Sequence, residues 1–192
     1  MAVSGRMWPR KDDGKWAYKV MRNSGYSYND NPSQDIYLSQ TNAGPCFLCS
    51  KKDFLNINYH EELWLERCKY ALGDDQVMFY KMHLCGLRVL TSFDSGVVHL
   101  DAGSTTANSE DRLANLIYSE YRNKLIFWYK FIYSYEKSLV KKVWAVVCLL
   151  YSYGVQMIKY SLHYLFGKRN IAKAFFSGIS DAILFIRKAE KI

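Results

Sequence analysis

From Asn108 onward the sequence offers one helical pattern after another, and this limits what the whole chain can fold into. "NSEDRLANLIYSEYRNKLIFWYKFIYSY" sets a polar cap and an acidic first turn before apolar positions 113, 116, 117, 121, 125 and 128, spaced as one helical face. "KKVWAVVCLLYSYGVQMIK" follows, and its uncharged run, 143–158, is 16 residues long between Lys141, Lys142 and Lys159. A bilayer span needs roughly 20 apolar residues, and this run contains Ser, Gly and Gln. An interfacial or partly embedded helix is the expectation, with a full span and a soluble core helix as the alternatives. The last stretch, "IAKAFFSGISDAILFIRKAEKI", reads as an amphipathic helix that ends in basic residues. Residues 108–192 are therefore expected to form a helical, basic, membrane-associating tail.

Charge supports that division. The net charge is +8, yet residues 124–192 hold twelve lysines and arginines against Glu136, Asp181 and Glu190, so the rest of the chain is close to neutral. A basic, aromatic, apolar tail suits an anionic membrane surface. No RNA- or DNA-binding signature accompanies it, and no nucleic-acid partner is expected. The N-terminus, "MAVSGRMWPRKDDGKW", lacks the apolar stretch of a secretory signal, so export is not expected. The five cysteines are odd in number and mostly embedded in apolar runs, which fits buried thiols in a reducing cytosol.

With 49% apolar residues, the chain has material for a core. Residues 1–45 are loop-rich, with "NSGYSYNDNPSQD" and "QTNAGP" as turn chemistry and "KWAYKVM" as a short strand. "CFLCSKKDFLNI" predicts a buried strand leading into a helix, and "HEELWLERCKYAL", 60–72, a helix of mixed periodicity. Gly73 breaks the chain. Asp74 and Asp75 then open a helix carrying Val77, Met78, Met82 and Leu84, and Gly86 closes it as a C′ glycine. "LRVLTS" and "GVVHL" predict two strands joined by "FDS".

Several stretches carry side chains that could do chemistry. "CFLC" is a Cys-x-x-Cys, but a structural zinc site needs a second tight pair, and Cys68, Cys85, His83 and His99 are scattered. "HEEL" places His60 beside Glu61 and Glu62, which could serve a site or simply favour a helix N-terminus. Asp74 and Asp75 taken alone are ordinary capping. Their setting is less ordinary: acid pair, helix, Gly, strand, turn, strand, His, Gly.

That order resembles the C-terminal half of family 2 glycosyltransferases, inverting enzymes of the GT-A fold. In that family a Glu-Asp pair opens a helix that runs through an Arg to Gly-Tyr, followed by a strand and a Val-x-His with a Gly beyond. Asp74 and Asp75 stand in the places of the pair, Lys81 in that of the Arg, Gly86 and Leu87 in those of Gly-Tyr. Val97, Val98 and His99 through Gly103 match the last motif. Upstream, "NAGPCFLCSKKDF" is similar to the family's strand and helix start, and downstream "YRNKLIFWYKF" to an Arg-Asn-aromatic helix of bacterial members, so the resemblance covers residues 43–131.

The resemblance implies a partial GT-A fold of the α/β class, as an α+β fragment with a few short strands and amphipathic or apolar C-terminal helices. Residues 1–107 would form the acceptor-side half. It implies Asp75 as general base and Asp74 beside it, with Glu61 and Glu62 as acceptor- or donor-side candidates and His99 on the diphosphate or metal side. The chemistry suits such residues, because inverting transfer is one in-line displacement in which a carboxylate takes the acceptor hydroxyl's proton. The family also implies a nucleotide-sugar donor, a glycan or lipid-linked acceptor, and a divalent metal (Mg or Mn) held by Asp-x-Asp.

This sequence departs from the family at Asp74, where Glu is usual, at Val77, where an Asp often follows, and in having no Asp-x-Asp anywhere. "KDDGK" is an adjacent pair in a polar loop, and no alternating strand–helix series precedes residue 45. The nucleotide-binding half is expected on another chain, upstream, or lost, and this chain is expected to be inactive alone. Polysaccharide or glycoconjugate assembly at the cytoplasmic face of the cell membrane is the implied setting. The rivals are a non-enzymatic peripheral membrane or scaffold protein and a small nucleic-acid-binding protein using the basic tail.

Overall fold

The computed structural model describes residues 2–4, 16–29, 36–42, 47–57, 60–65, 73–92 and 110–189, with the side chains of 2–4, 16–18, 29, 60 and 61 excepted. The chain is a mixed α/β protein with two compact units. The first comprises Met1–Arg22, Ser27–Leu63 and Asp74–Asp101; the second comprises Asn23–Tyr26, Trp64–Gly73 and Ala102–Ile192.

The first unit is built on a six-stranded mixed sheet: β1 (Ala2–Ser4), β2 (Trp16–Met21), β3 (Ser27–Asn29), β4 (Ile36–Ser39), β5 (Phe47–Cys49) and β6 (Val89–Ser92). The spatial order is β3-β2-β4-β6-β1-β5. β6 runs antiparallel to β4 and parallel to β1, and pairs Ile36 with Ser92 and Ala2 with Val89. Four of the six strands fall in the loop-rich segment 1–45, where β2 is the short strand predicted from "KWAYKVM". The other three are three or four residues long, too short to display alternation, and β1 finds its partner far along the chain.

β5 is an edge strand with Leu48 exposed, not the buried strand that its apolar letters predict. Ser50 ends it and caps the short helix α1 (Lys51–Asn56), accepting from Asp53 N–H at 3.0 Å. A 3₁₀ segment, His60–Leu65, follows in place of the start of an α-helix, because Glu62 leaves helical geometry at φ −109°, ψ 20°. The rest of the predicted 60–72 helix lies outside the described residues.

Helix α2 (Asp74–Leu84) buries Val77, Met78, Phe79, Tyr80 and Met82. Phe79, Met82 and Met78 pack with Ile57 and Val89 into the core on one face of the sheet, with Phe47 edge-on to Phe79 at 5.7 Å. Each such apolar side chain contributes about 1.5–3 kcal/mol by leaving water. Ile36, Leu38 and Leu90 form a second cluster. The predicted Leu84 is only half-buried, and Phe79 takes the central place. Gly86 closes α2 as predicted: its φ of +81° lets Leu87 N–H reach Met82 C=O at 3.0 Å and Gly86 N–H reach His83 C=O at 2.9 Å. Leu87 then packs on the same core.

The second unit contains α3 (Glu110–Phe127), a π-helical turn (Trp128–Tyr133), α4 (Leu139–Leu165) and α5 (Arg169–Ala189). α3 starts within two residues of the predicted cap, although Leu113, at helical spacing, is exposed. Glu136 Oε1 accepts from Lys137 and Ser138 N–H just before α4, and these bonds lower its carboxyl pKa. Gly167, at φ +89°, turns α4 into α5, with Lys168 N–H donating to His163 C=O at 2.8 Å.

α3 and α5 cross closely at Gly178, where a Cβ would lie 2.6 Å from the Tyr118 carbonyl oxygen. Around that crossing Tyr121, Tyr160 and Phe175 form the core, with Tyr160 stacked on Phe175 at 4.3 Å. Burial raises the Tyr121 and Tyr153 hydroxyl pKa values, and Tyr26 is pushed up to about 12. Among the described residues, α4 is the one helix long and apolar enough to cross a membrane, and 17% of its most apolar stretch is buried.

Candidate active site

Asp74 and Asp75 form the first turn of α2 directly after Gly73, whose φ of +97° is open to glycine at little cost. Carboxylates there complement the positive end of the helix dipole. The two side chains differ in setting. Asp75 stands four and seven residues before Phe79 and Met82, so it continues the buried stripe of α2 and is itself half-buried. Asp74 is exposed even though Val77 and Met78, three and four residues on, are buried, and Lys81 stands seven residues on.

Lys81 belongs to a pair absent from any local reading of the sequence. Glu62, turned inward by the non-helical bend of the 3₁₀ segment, places Oε1 3.4 Å from Lys81 Nζ. The Glu62 side chain is 2% exposed and that of Lys81 16%. The structure thus brings Glu62 of the 3₁₀ segment together with Lys81 of the helix that Asp74 and Asp75 open. Glu61 belongs to the backbone of the same segment, but its side chain, like the whole of His99, lies outside the described residues.

A second polar group was missed because "SQTN" reads as turn chemistry. At the end of β4, Ser39, Thr41 and Asn42 are buried, as are Thr91 and Ser92 of β6. Ser39 Oγ and Thr91 Oγ1 are 2.7 Å apart, and Asn42 Nδ2 donates to Thr91 Oγ1 at 2.8 Å. Gln40 completes the shelf: its Oε1 accepts from Met21 N–H at 2.7 Å, and its Nε2 lies 3.4 Å from His83 Nε2. Burial lowers the His83 pKa, favouring the neutral ring. Ser39, Thr91 and Val89 share a face of the β4–β6 ladder, the face on which α2 packs. The recoverable signal was position, since four polar residues directly follow the apolar run "IYL".

The cysteines are less uniformly buried than their sequence setting suggests. Cys49 is half-buried, its thiol pKa raised by burial and then by Asp53, and Cys85 is exposed. Cys46 lies outside the described residues. For the divalent cation implied by the resemblance, the donors do not fit. The sequence has no Asp-x-Asp, and among the described residues no three His, Cys, Asp or Glu side chains converge.

In the second unit, the Arg-Asn pair of "YRNKLIFWYKF" is structural in its contacts. Arg122, 1% exposed, donates from Nη1 to Trp64 C=O at 2.8 Å and to Asn123 Oδ1 at 2.9 Å. Trp128 Nε1 similarly donates to Asn23 C=O at 2.7 Å, tying the Asn23–Tyr26 turn to the helices of its own unit.

No family model, no curated protein and no solved structure matches this chain.

Proposed function

We propose that this chain is the acceptor-side half of an inverting, family 2-like glycosyltransferase of the GT-A fold. It transfers a sugar from a nucleotide-sugar donor to a glycan or lipid-linked acceptor, at the inner face of the cell membrane. The observation that carries the reading is Asp75. It is a half-buried carboxylate at the dipole-positive end of a helix that a glycine cap delivers into the central strand β6, with Lys81, the ion-pair partner of Glu62, on the same helix. A carboxylate anchored in that way by packed aromatic and sulfur side chains keeps its position while a substrate approaches.

In the reaction Asp75 accepts the proton of the acceptor hydroxyl as its oxygen bonds to the anomeric carbon. The bond from that carbon to the diphosphate oxygen breaks on the opposite face, the nucleoside diphosphate leaves with the electron pair, and the configuration inverts. Asp74 stands beside the base at the acceptor.

The test is sugar transfer by the chain supplied in trans with a nucleotide-binding half, comparing wild type with Asp75→Asn. A loss of at least about 10²-fold is expected for removal of a general base. Unchanged turnover would sink the assignment. A second reading, a non-enzymatic peripheral membrane protein, is favoured by the exposed apolar side of α4. It predicts lipid binding without sugar transfer under any complementation.

A further inference from the structure

We propose that the outward side of α4 is a docking surface for an anionic lipid bilayer, lying in the plane of one leaflet and not crossing it. This deepens the membrane setting proposed above but rests on the helices of the second unit alone, and it stands whether or not Asp75 is a base.

The first observation is the continuity of an unpartnered apolar face. Val140, Val147, Tyr151, Ile158 and Leu165 fall within about 40° of one another around the helix at 100° per residue. All are exposed: Val140 78%, Tyr151 76%, Ile158 67% and Leu165 76%. Trp144 and Leu150 widen the same band, and the residues turned inward, Ala145, Leu149, Tyr153 and Tyr160, lie opposite. No charged residue interrupts the band along its 27 residues, about 40 Å of helix.

The second observation identifies the occupant by charge. Residues 139–189 carry eight lysines and arginines against one aspartate, Asp181, which accepts a hydrogen bond from Tyr118. Lys141 and Lys159 are exposed, stand five helical turns apart and border the apolar band on the same side. α5 adds exposed Arg169, Lys173, Arg187 and Lys188. Apolar insertion rimmed by cations is what an anionic headgroup layer complements. A second copy of the chain is a poorer occupant. In an antiparallel pairing about Leu150, Lys141 of one copy meets Lys159 of the other, and a parallel pairing sets each lysine against itself.

The third observation sets the orientation. The inner side of α4 is fastened to α3 by polar contacts in its central and later turns: Tyr121 Oη to Gln156 Oε1 at 2.9 Å and Tyr153 Oη to the Tyr121 carbonyl at 3.2 Å. α3 carries charged residues such as Glu120, paired with Lys124. α5, which runs back from α4, exposes Lys173, Ser177 and Asp181. A spanning α4 would draw these groups into hydrocarbon, where each is costly. An in-plane α4 immerses only its outward band, to about 5–10 Å.

Flotation of the full chain with vesicles tests this, using phosphatidylserine in phosphatidylcholine against phosphatidylcholine alone, at low and high salt. The chain is expected to float with the anionic vesicles, at least about ten-fold more than with neutral ones at low salt, and to lose that preference at high salt. Leu150→Gln with Ile158→Gln, both at exposed positions, is expected to cut partition about ten-fold with the circular dichroism unchanged. Alkaline carbonate is expected to release the bound chain. Equal binding to neutral vesicles overturns the anionic partner, and retention after carbonate overturns the in-plane orientation. Lipid-free dimerisation abolished by the same double variant, with no vesicle binding, assigns the face to a second copy and overturns the proposal. Turnover is read separately with Asp75→Asn, so either reading can fail alone.

Discussion

Glu62 and Lys81, nineteen residues apart in sequence, form an ion pair at 3.4 Å whose carboxylate is 2% exposed. The pair joins the 3₁₀ segment to the middle of α2, the helix that carries the proposed base. Truncating the cation leaves a carboxylate in a dry setting, which costs far more than an exposed ion pair contributes. Lys81→Met is expected to lower stability by about 3 kcal/mol. Glu62→Gln with Lys81→Met should recover part of that loss. Urea unfolding of the two variants measures the difference, and a single variant as stable as wild type would contradict the structure.

His83 gives the fold a pH dependence of definite sign. Burial holds its pKa below the ordinary value of 6.5, so the folded chain binds fewer protons there than the unfolded chain does. Its contribution to stability is complete above about pH 6.5 and declines as pH falls through the lowered folded value. The thermal midpoint is therefore expected to fall on acidification from pH 7 toward 5, and His83→Gln is expected to flatten that slope. Scanning calorimetry across the range decides it, and an identical slope in the variant would overturn the assignment.

Gly178 is the closest point between α3 and α5. A methyl group there would meet the Tyr118 carbonyl oxygen at 2.6 Å and Arg122 N at 3.4 Å, both of them backbone atoms that cannot swing aside. Gly178→Ala is expected to destabilise the helical unit by about 1–3 kcal/mol, despite alanine's higher helix propensity. A rise in the thermal midpoint would show that the helices separate freely.

Arg122 holds the Trp64 carbonyl and its neighbour Asn123 with one nitrogen, while Nη2 is buried without a hydrogen-bond partner. Removing the side chain takes this donor away from the Trp64 carbonyl and opens space in the packing of α3. Arg122→Ala is expected to cost about 3 kcal/mol, and Arg122→Lys, which keeps the charge but loses the planar fork, only somewhat less. Chemical denaturation of the two variants checks the order.

The helices were legible because their signals are local. Gly73 and Gly86 bound α2, with acids after the first and a C′ geometry at the second, and a polar cap precedes α3. Of the strands in residues 1–45, β2 was legible in "KWAYKVM", but β1, β3 and β4 were not, because a three-residue strand such as β1 is specified by partners on β5 and β6, not by its own letters. The same holds for "SQTN", whose polar side chains are buried only because Thr91 meets Ser39 and Asn42 across the ladder.

Sequence by itself determined the acid pair at the head of α2, its glycine terminus, the basic tail and an uncharged run too short for a comfortable span. Only the tertiary structure decided what surrounds them. It half-buried Asp75 and left Asp74 exposed, although both acids precede buried residues of α2 at helical spacing. It paired Glu62 with Lys81 through a bend that no periodicity announces. It also settled which side of α4 meets α3 and which stays bare, since burial depends on how helices pack against one another and hydropathy along a single helix cannot assign that.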